Sequence, residues 1–316
     1  MITVLTSHEH IWDSDKLTAD IIYEYQTRGS VHIDLNNEGP CADTIGLYCL
    51  LDYVCSKFNI DPAVIKITTV NFEEQHSTYT IEKKSQHWIQ TTINSWKQLN
   101  QLPAKNFSKL FGCLYNVPSW DRLCLLSYID RNSKHKNQLH CNGTWEANRY
   151  NTYYLNTLID HAPNELSNIV SYLQNAKPKS ALADIAFNKP ITATQMMSVY
   201  PIYQHFLVDV VAETYNSGLS FFITEKTIRP MLALTPFVIQ GPQGFLSTLK
   251  SDYNIKSFDQ WWDEDYDNYQ GYERIQKIYK VIDYIDSLTV EQQQKMYNEM
   301  MPILNHNFQQ ILTHDK

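Results

Sequence analysis

No stretch of this 316-residue chain approaches the roughly 20 apolar residues that a membrane span requires. The opening Met1-Ile2-Thr3-Val4-Leu5-Thr6-Ser7-His8-Glu9-His10 has no cationic start and reaches charge too soon for a secretory apolar core, so a cytoplasmic protein is expected. None of the six cysteines (Cys41, Cys49, Cys55, Cys113, Cys124 and Cys141) forms a C-x-x-C pair, and most sit within apolar runs, which reads as buried reduced thiols. Without an export signal the sequons at Asn106 and Asn142 are chance matches. Neither Gly-x-x-x-x-Gly-Lys-Ser/Thr nor Gly-x-Gly-x-x-Gly occurs, which disfavours a kinase or an epimerase built on those loops. Nor is there an excess of basic charge: 26 Lys and Arg face 34 Asp and Glu, and a net charge of -8 weighs against a broad nucleic-acid footprint. A basic cleft holding Arg28, Lys105, Arg122 and Arg149 would offset it locally. No internal repeat is visible.

What is present suits a folded α/β protein. Hydrophobic residues at 43% supply a core, and charged residues at 19% are too few for general disorder. A chain of this length is expected to form two domains with a cleft between them. Strands are expected at residues 1–7, 30–35, 63–70, 109–115, 205–212 and 236–241, from β-branched or alternating runs. Helices are expected at residues 42–57, after Ser119, from Thr224 to Ala233, at 244–250, 272–287 and 290–313. Alternation of the two types indicates layered α/β domains. The polar, proline-bearing stretch at 101–106 places a boundary there, giving a domain at 1–107, a second at 108–287, and a C-terminal helix at 288–316 that returns across the domains. The segment after Asn132 reads as an elaborated crossover with a modest helical period at 153–173.

The most informative stretch is Phe222-Ile223-Thr224-Glu225-Lys226-Thr227-Ile228-Arg229-Pro230-Met231 and the strand after it, Thr235-Pro236-Phe237-Val238-Ile239-Gln240-Gly241. A helix opening at Thr224 would present unpaired N–H groups and the positive end of its dipole, which favours a phosphate. Lys226 adds a mobile cation, and Glu225 can accept hydrogen bonds from a ribose diol. Spacing alone favours an ordinary capped helix in which Glu225 complements the dipole and Lys226 is solvated.

Residues 205–241 resemble the donor domain of the α-1,3-fucosyltransferase family, in which a strand ending Phe-Glu-Asn-Ser is followed by Tyr-x-Thr-Glu-Lys and a Val-Pro-Val strand. The counterparts here are Ala212-Glu213-Thr214-Tyr215, Phe222-Ile223-Thr224-Glu225-Lys226 and Thr235 to Gly241. The resemblance implies a GT-B arrangement, two Rossmann-like domains facing a cleft, and transfer of a sugar from a nucleotide diphosphate. It implies that Glu225 holds the ribose, that Lys226 holds the diphosphate, and that Arg122, Glu213 and Thr224 belong to the same donor site. Thr214 stands where the family has Asn, and Phe222 where it has Tyr, so the base and sugar contacts are not carried over.

Leaving-group departure develops charge on the diphosphate that Arg122 and Lys226 would neutralise, so no metal or resident cofactor is expected, the sugar nucleotide being a co-substrate. The Asp-x-Asp matches Asp13-Ser14-Asp15 and Asp263-Glu264-Asp265 follow no buried strand and read as acidic surface. His8-Glu9-His10 lacks a third ligand and reads as a cap or cleft lining. Trp261-Trp262-Asp263-Glu264 borders the donor cleft or staples the following helix. An inverting transfer needs an acceptor-side carboxylate, for which Glu38 in a Gly-Pro turn is the first choice and Asp34, Glu73 and Glu74 the others. The expected acceptor is a glycan or other hydroxyl, with a hydroxylated base in DNA as the alternative and a non-catalytic nucleotide-binding module as the alternative of another class.

Overall fold

The structure, a computed structural model, describes residues 1–4, 13–35, 41–43, 45–71, 74–84, 87–97, 104–115, 119–133, 140–141, 152–175, 200–216 and 220–314. The chain is mixed α/β and divides into two compact units, Met1–His87 with Ser217–Ile223, and Trp88–Asn216 with Thr224–Asp315. Among the described residues no helix is long and apolar enough to cross a membrane.

Unit 1 holds β1 (Ile2–Thr3), α1 (Ser14–Arg28), β2 (Val31–Asp34), α2 (Leu47–Phe58), β3 (Ile65–Thr69) and β4 (Thr80–Lys83). The strands pair in parallel in the order β1-β2-β3-β4, with Ile33 opposite Ile67 and Ile67 opposite Ile81. Burial alternates along β2: Val31 and Ile33 lie in the core with Leu51 and Val54 of α2, while His32 and Asp34 face outward. One face of this sheet is therefore polar, with Lys84 paired to Asp34 at 2.5 Å and Lys66 to Glu82 at 2.5 Å.

Unit 2 begins within α3 (His87–Lys97) and continues through β5 (Lys109–Cys113), α4 (Trp120–Asn132), β6 (His140–Cys141), α5 (Thr152–His161), α6 (Leu166–Asn175) and β7 (Phe206–Ala212). After it come α7 (Glu225–Leu232), β8 (Phe237–Gln240), α8 (Phe245–Tyr253), α9 (Gly271–Ser287) and α10 (Val290–Leu312). Its strands are parallel in the order β6-β5-β7-β8. Every residue of β7 and β8 is buried, as parallel strands covered on both faces require, and that is why their apolar runs are nearly continuous. Gly112 of β5 is needed at its position because a Cβ there would meet the Phe206 ring at 2.5 Å.

The structure divides the chain at residues 87–88, where the expected boundary stood near 107: the polar stretch before β5 is tied into unit 2, since Asn106 N–H donates to Gln204 O at 2.9 Å and Lys105 Nζ to Tyr203 O at 2.6 Å. The last helix belongs to unit 2 in the same way: α10 packs against α7, Tyr297 donates to Leu234 O at 3.0 Å, and Phe308 meets Trp96 edge-on at 5.1 Å. Cys49 is exposed, whereas Cys41, Cys55, Cys113 and Cys124 are buried free thiols.

Candidate functional site

The site is assembled at the carboxyl end of β7 and the amino end of α7, both in unit 2. Thr224 is in an extended conformation (φ -101°, ψ 178°) and its hydroxyl accepts from Lys226 N–H at 3.2 Å, as an N-cap does. Glu213, the residue after β7, is 1% exposed. Its carboxylate accepts from Thr224 N–H at 3.2 Å, Thr224 Oγ1 at 2.6 Å, Thr227 Oγ1 at 2.5 Å and Thr214 N–H at 3.3 Å. Four donors occupy both of its oxygens, so Glu213 latches strand to helix and has no capacity left for a ligand.

Arg122 of α4 is also 1% exposed and reinforces that latch. Its Nη2 donates to Ala212 O at 3.1 Å and Glu213 O at 3.4 Å, and its guanidinium lies 5.8 Å over the Tyr115 ring. Tyr115 in turn donates to Val210 O at 2.6 Å. Arg122 thus holds the last carbonyls of β7 from within, one step removed from any ligand at the start of α7. The end of β8 repeats the device. Arg274 Nη2 donates to Ile239 O at 3.0 Å and to Asp267 Oδ1 at 3.1 Å, while the Asp267 carboxylate accepts from Leu246 and Ser247 N–H, each at 3.0 Å, at the start of α8.

At the mouth of α7 the charged residues face one another. Lys226 Nζ lies 3.2 Å from Glu225 Oε1 and donates to Thr214 Oγ1 at 3.2 Å and Thr224 Oγ1 at 3.3 Å. Arg229, one turn further on, approaches the same Glu225 oxygen at 3.7 Å, and its Nε has no hydrogen-bond partner among the described residues. Burial pushes the Glu225 carboxyl upward, but Lys226 and Arg229 outweigh it and bring it down to about 2. Glu225 therefore occupies, as an internal carboxylate, the place beside two cations that a ligand anion would take.

Beneath lies a buried polar layer that composition and spacing did not reveal. Burial drives Asp209 of β7 up to about 7 against the opposing Tyr203 hydroxyl, Arg229 and Lys105, and Tyr203 donates to its Oδ2 at 2.8 Å. Burial likewise drives Lys105 down to about 7, with Asp209 opposing. Only Arg229 carried a readable signal, the i,i+4 spacing from Glu225. Tyr115, Tyr203, Asp209, Lys226 and Arg229 line a cavity of about 10 Å³, room for one water and no more, so a diphosphate would have to sit outside it, against the first turn of α7.

No family model, curated protein or solved structure matches this chain. Glu38, the first choice as base, lies outside the described residues, as do Glu73, Arg149 and His8-Glu9-His10. Asp34 is paired with Lys84, and Glu74 is engaged by Ala42 N–H at 2.9 Å, Tyr48 hydroxyl at 2.6 Å and Asn71 Nδ2 at 3.3 Å, all within unit 1. Of the residues expected in a basic cleft, Arg28 pairs with Glu24 at 3.2 Å on α1, while Lys105 and Arg122 donate to internal oxygens. Both Asp-x-Asp matches are used locally. Asp13 caps α1 through Lys16 N–H at 2.9 Å, and Asp265 pairs with Lys277 at 2.6 Å. Among the described residues no group of three or more His, Cys, Asp or Glu is placed to hold a metal ion.

Proposed function

We propose that the chain is a glycosyltransferase of the GT-B kind, resembling the α-1,3-fucosyltransferases in its donor half, which moves a sugar from a nucleotide-diphosphate sugar to a glycan or other hydroxyl acceptor. The observation that carries the reading is the amino end of α7, fixed by the Glu213 latch, with Lys226 and Arg229 gathered on Glu225. In the free protein Glu225 neutralises these cations. On donor binding the ribose diol engages the Glu225 carboxylate, and Lys226 turns to the diphosphate together with the first-turn N–H groups of α7. The exchange replaces one internal ion pair with two ligand contacts, so little charge is left unpaired at any stage.

Transfer then proceeds with inversion. A carboxylate, Glu38 in this proposal, takes the acceptor hydroxyl proton, the freed oxygen bonds to the anomeric carbon from the face opposite the diphosphate, and the anomeric carbon–oxygen bond to the diphosphate breaks with its electron pair. Lys226 and the oriented N–H groups stabilise the negative charge as it forms, which is where preorganised dipoles contribute most. Arg122 and Glu213 act through the backbone that they hold, as positioning residues. The engagement of Asp34 and Glu74 by internal partners favours a second reading, a nucleotide-binding module without an acceptor base.

Thermal melting with UDP-, GDP-, CMP- and dTDP-sugars tests the first reading. A ligand at 100 times its dissociation constant adds about 2.7 kcal/mol of stability, and Lys226→Ala should abolish that gain. Stabilisation with neither sugar-nucleotide hydrolysis nor transfer across an acceptor panel selects the binding module. If no sugar nucleotide raises the melting temperature, both readings fall.

A further inference from the structure

Away from α7, unit 2 carries a cavity of about 360 Å³ between the 261–266 loop and α9, within the range of small-molecule sites. Trp262 and Tyr266 are buried along it, Val281 supplies an aliphatic surface, and Tyr284 stands at its rim 44% exposed. The neighbouring Trp261 is tethered by its Nε1 to Glu299 at 3.5 Å, and the Tyr266 ring is backed by the Arg274 guanidinium at 5.2 Å. Trp262 Nε1, in a residue only 4% exposed, has no hydrogen-bond partner among the described residues. The expected alternative use of Trp261-Trp262, stapling the following helix, leaves both that donor and the cavity unexplained.

The charges select the ligand. Lys277 is already held by Asp265 at 2.6 Å and by the Tyr269 hydroxyl at 3.2 Å. That leaves exposed Lys280, which has no ion-pair partner among the described residues, and exposed Asp263, whose Oδ1 accepts from Asp265 N–H at 2.9 Å while Oδ2 remains open. One acid and one base lining the same cavity disfavour a phosphate or a polycation, since either would meet a like charge. They suit a neutral polyol, whose hydroxyls donate to the carboxylate and accept from the ammonium, while one ring face covers an aromatic surface that is apolar in the middle and polar at its edge.

We propose that this cavity is a saccharide-binding subsite taking a neutral pyranose unit, with Asp263 and Lys280 bonding its hydroxyls and Tyr284 and Trp261 flanking the ring. The inference stands on the cavity alone, shares no residue with the start of α7, and survives failure of the donor reading. The test is titration of the whole chain, followed by tryptophan emission, with maltose, cellobiose, lactose and N,N′-diacetylchitobiose, and with UMP and GMP as anionic controls. At least one saccharide should give a saturable change in the millimolar range. Tyr284→Ala and Lys280→Ala, both at exposed positions that leave the fold intact by circular dichroism, should each weaken it about five- to tenfold, the worth of one lost polar or stacking contact. The proposal is overturned if no saccharide in the panel changes the emission, if both variants bind as the parent does, or if UMP or GMP binds more tightly and displaces the sugar.

Discussion

Arg122→Ala separates a residue that holds the protein together from one that grips a ligand. The guanidinium is 1% exposed and gives two charged hydrogen bonds, to Ala212 O at 3.1 Å and Glu213 O at 3.4 Å. Charged hydrogen bonds contribute about 1.5–3 kcal/mol each, the longer one toward the low end, and relief of the buried charge offsets part of their loss. The net cost is about 3–4 kcal/mol, which for a chain of this size lowers the melting temperature by roughly 6–16 °C. Arg122→Lys should not rescue it, because an ammonium cannot reproduce the planar fork that spans two successive carbonyls. Lys226→Ala behaves oppositely. Its contacts are an ion pair with the adjacent Glu225 and two hydroxyls at 3.2 and 3.3 Å, worth about 1 kcal/mol together, so melting moves by about 2–4 °C while stabilisation by sugar nucleotides disappears. Calorimetric or circular-dichroism melts of the two variants, with and without the sugar nucleotides of the proposed function, decide the matter. An Arg122→Ala protein that melts with its parent yet loses nucleotide binding would refute the clamp.

Two further perturbations follow from the same geometry. Gly112→Ala drives a methyl to within 2.5 Å of the Phe206 ring in a closed layer and should cost about 1–3 kcal/mol by chemical denaturation, part of it regained in the Gly112→Ala, Phe206→Leu double variant; an unchanged midpoint would show that β5 and β7 pack otherwise. Because the Glu225 carboxyl is held down to about 2 in the folded state from an unfolded value of 4.5, its contribution is fully present above pH 4.5 and is lost as pH falls towards 2; it amounts to about 3 kcal/mol. Glu225→Gln should flatten that part of the stability-versus-pH curve, and a curve of unchanged slope between pH 4.5 and 2 would dismiss the pairing with Lys226 and Arg229.

Elements whose burial pattern was strong were legible in advance. The run Phe206 to Ala212 reads as a buried strand because all of its residues are buried, and Thr224 reads as a cap because its hydroxyl does cap. Three elements carried too little signal. Helix α1 buries only Leu17 and Ile21 of its 15 residues, β4 is an edge strand with no buried side chain, and α3 begins at the division between units. For β4 the pairing with β3, rather than the segment's own periodicity, supplies the order.

The amino-acid order by itself determined the α/β class, the alternation of strand and helix in unit 2, and the helix start at Thr224, all properties of neighbouring residues and their periods. Tertiary structure alone decided that Glu213 and Arg122 are latch and clamp and that the last helix serves unit 2. The physical reason is that a charged side chain's role depends on which donors and acceptors surround it once water is gone. Arg122 reaches carbonyls 90 and 91 residues away along the chain, a distance over which no local pattern in the sequence operates.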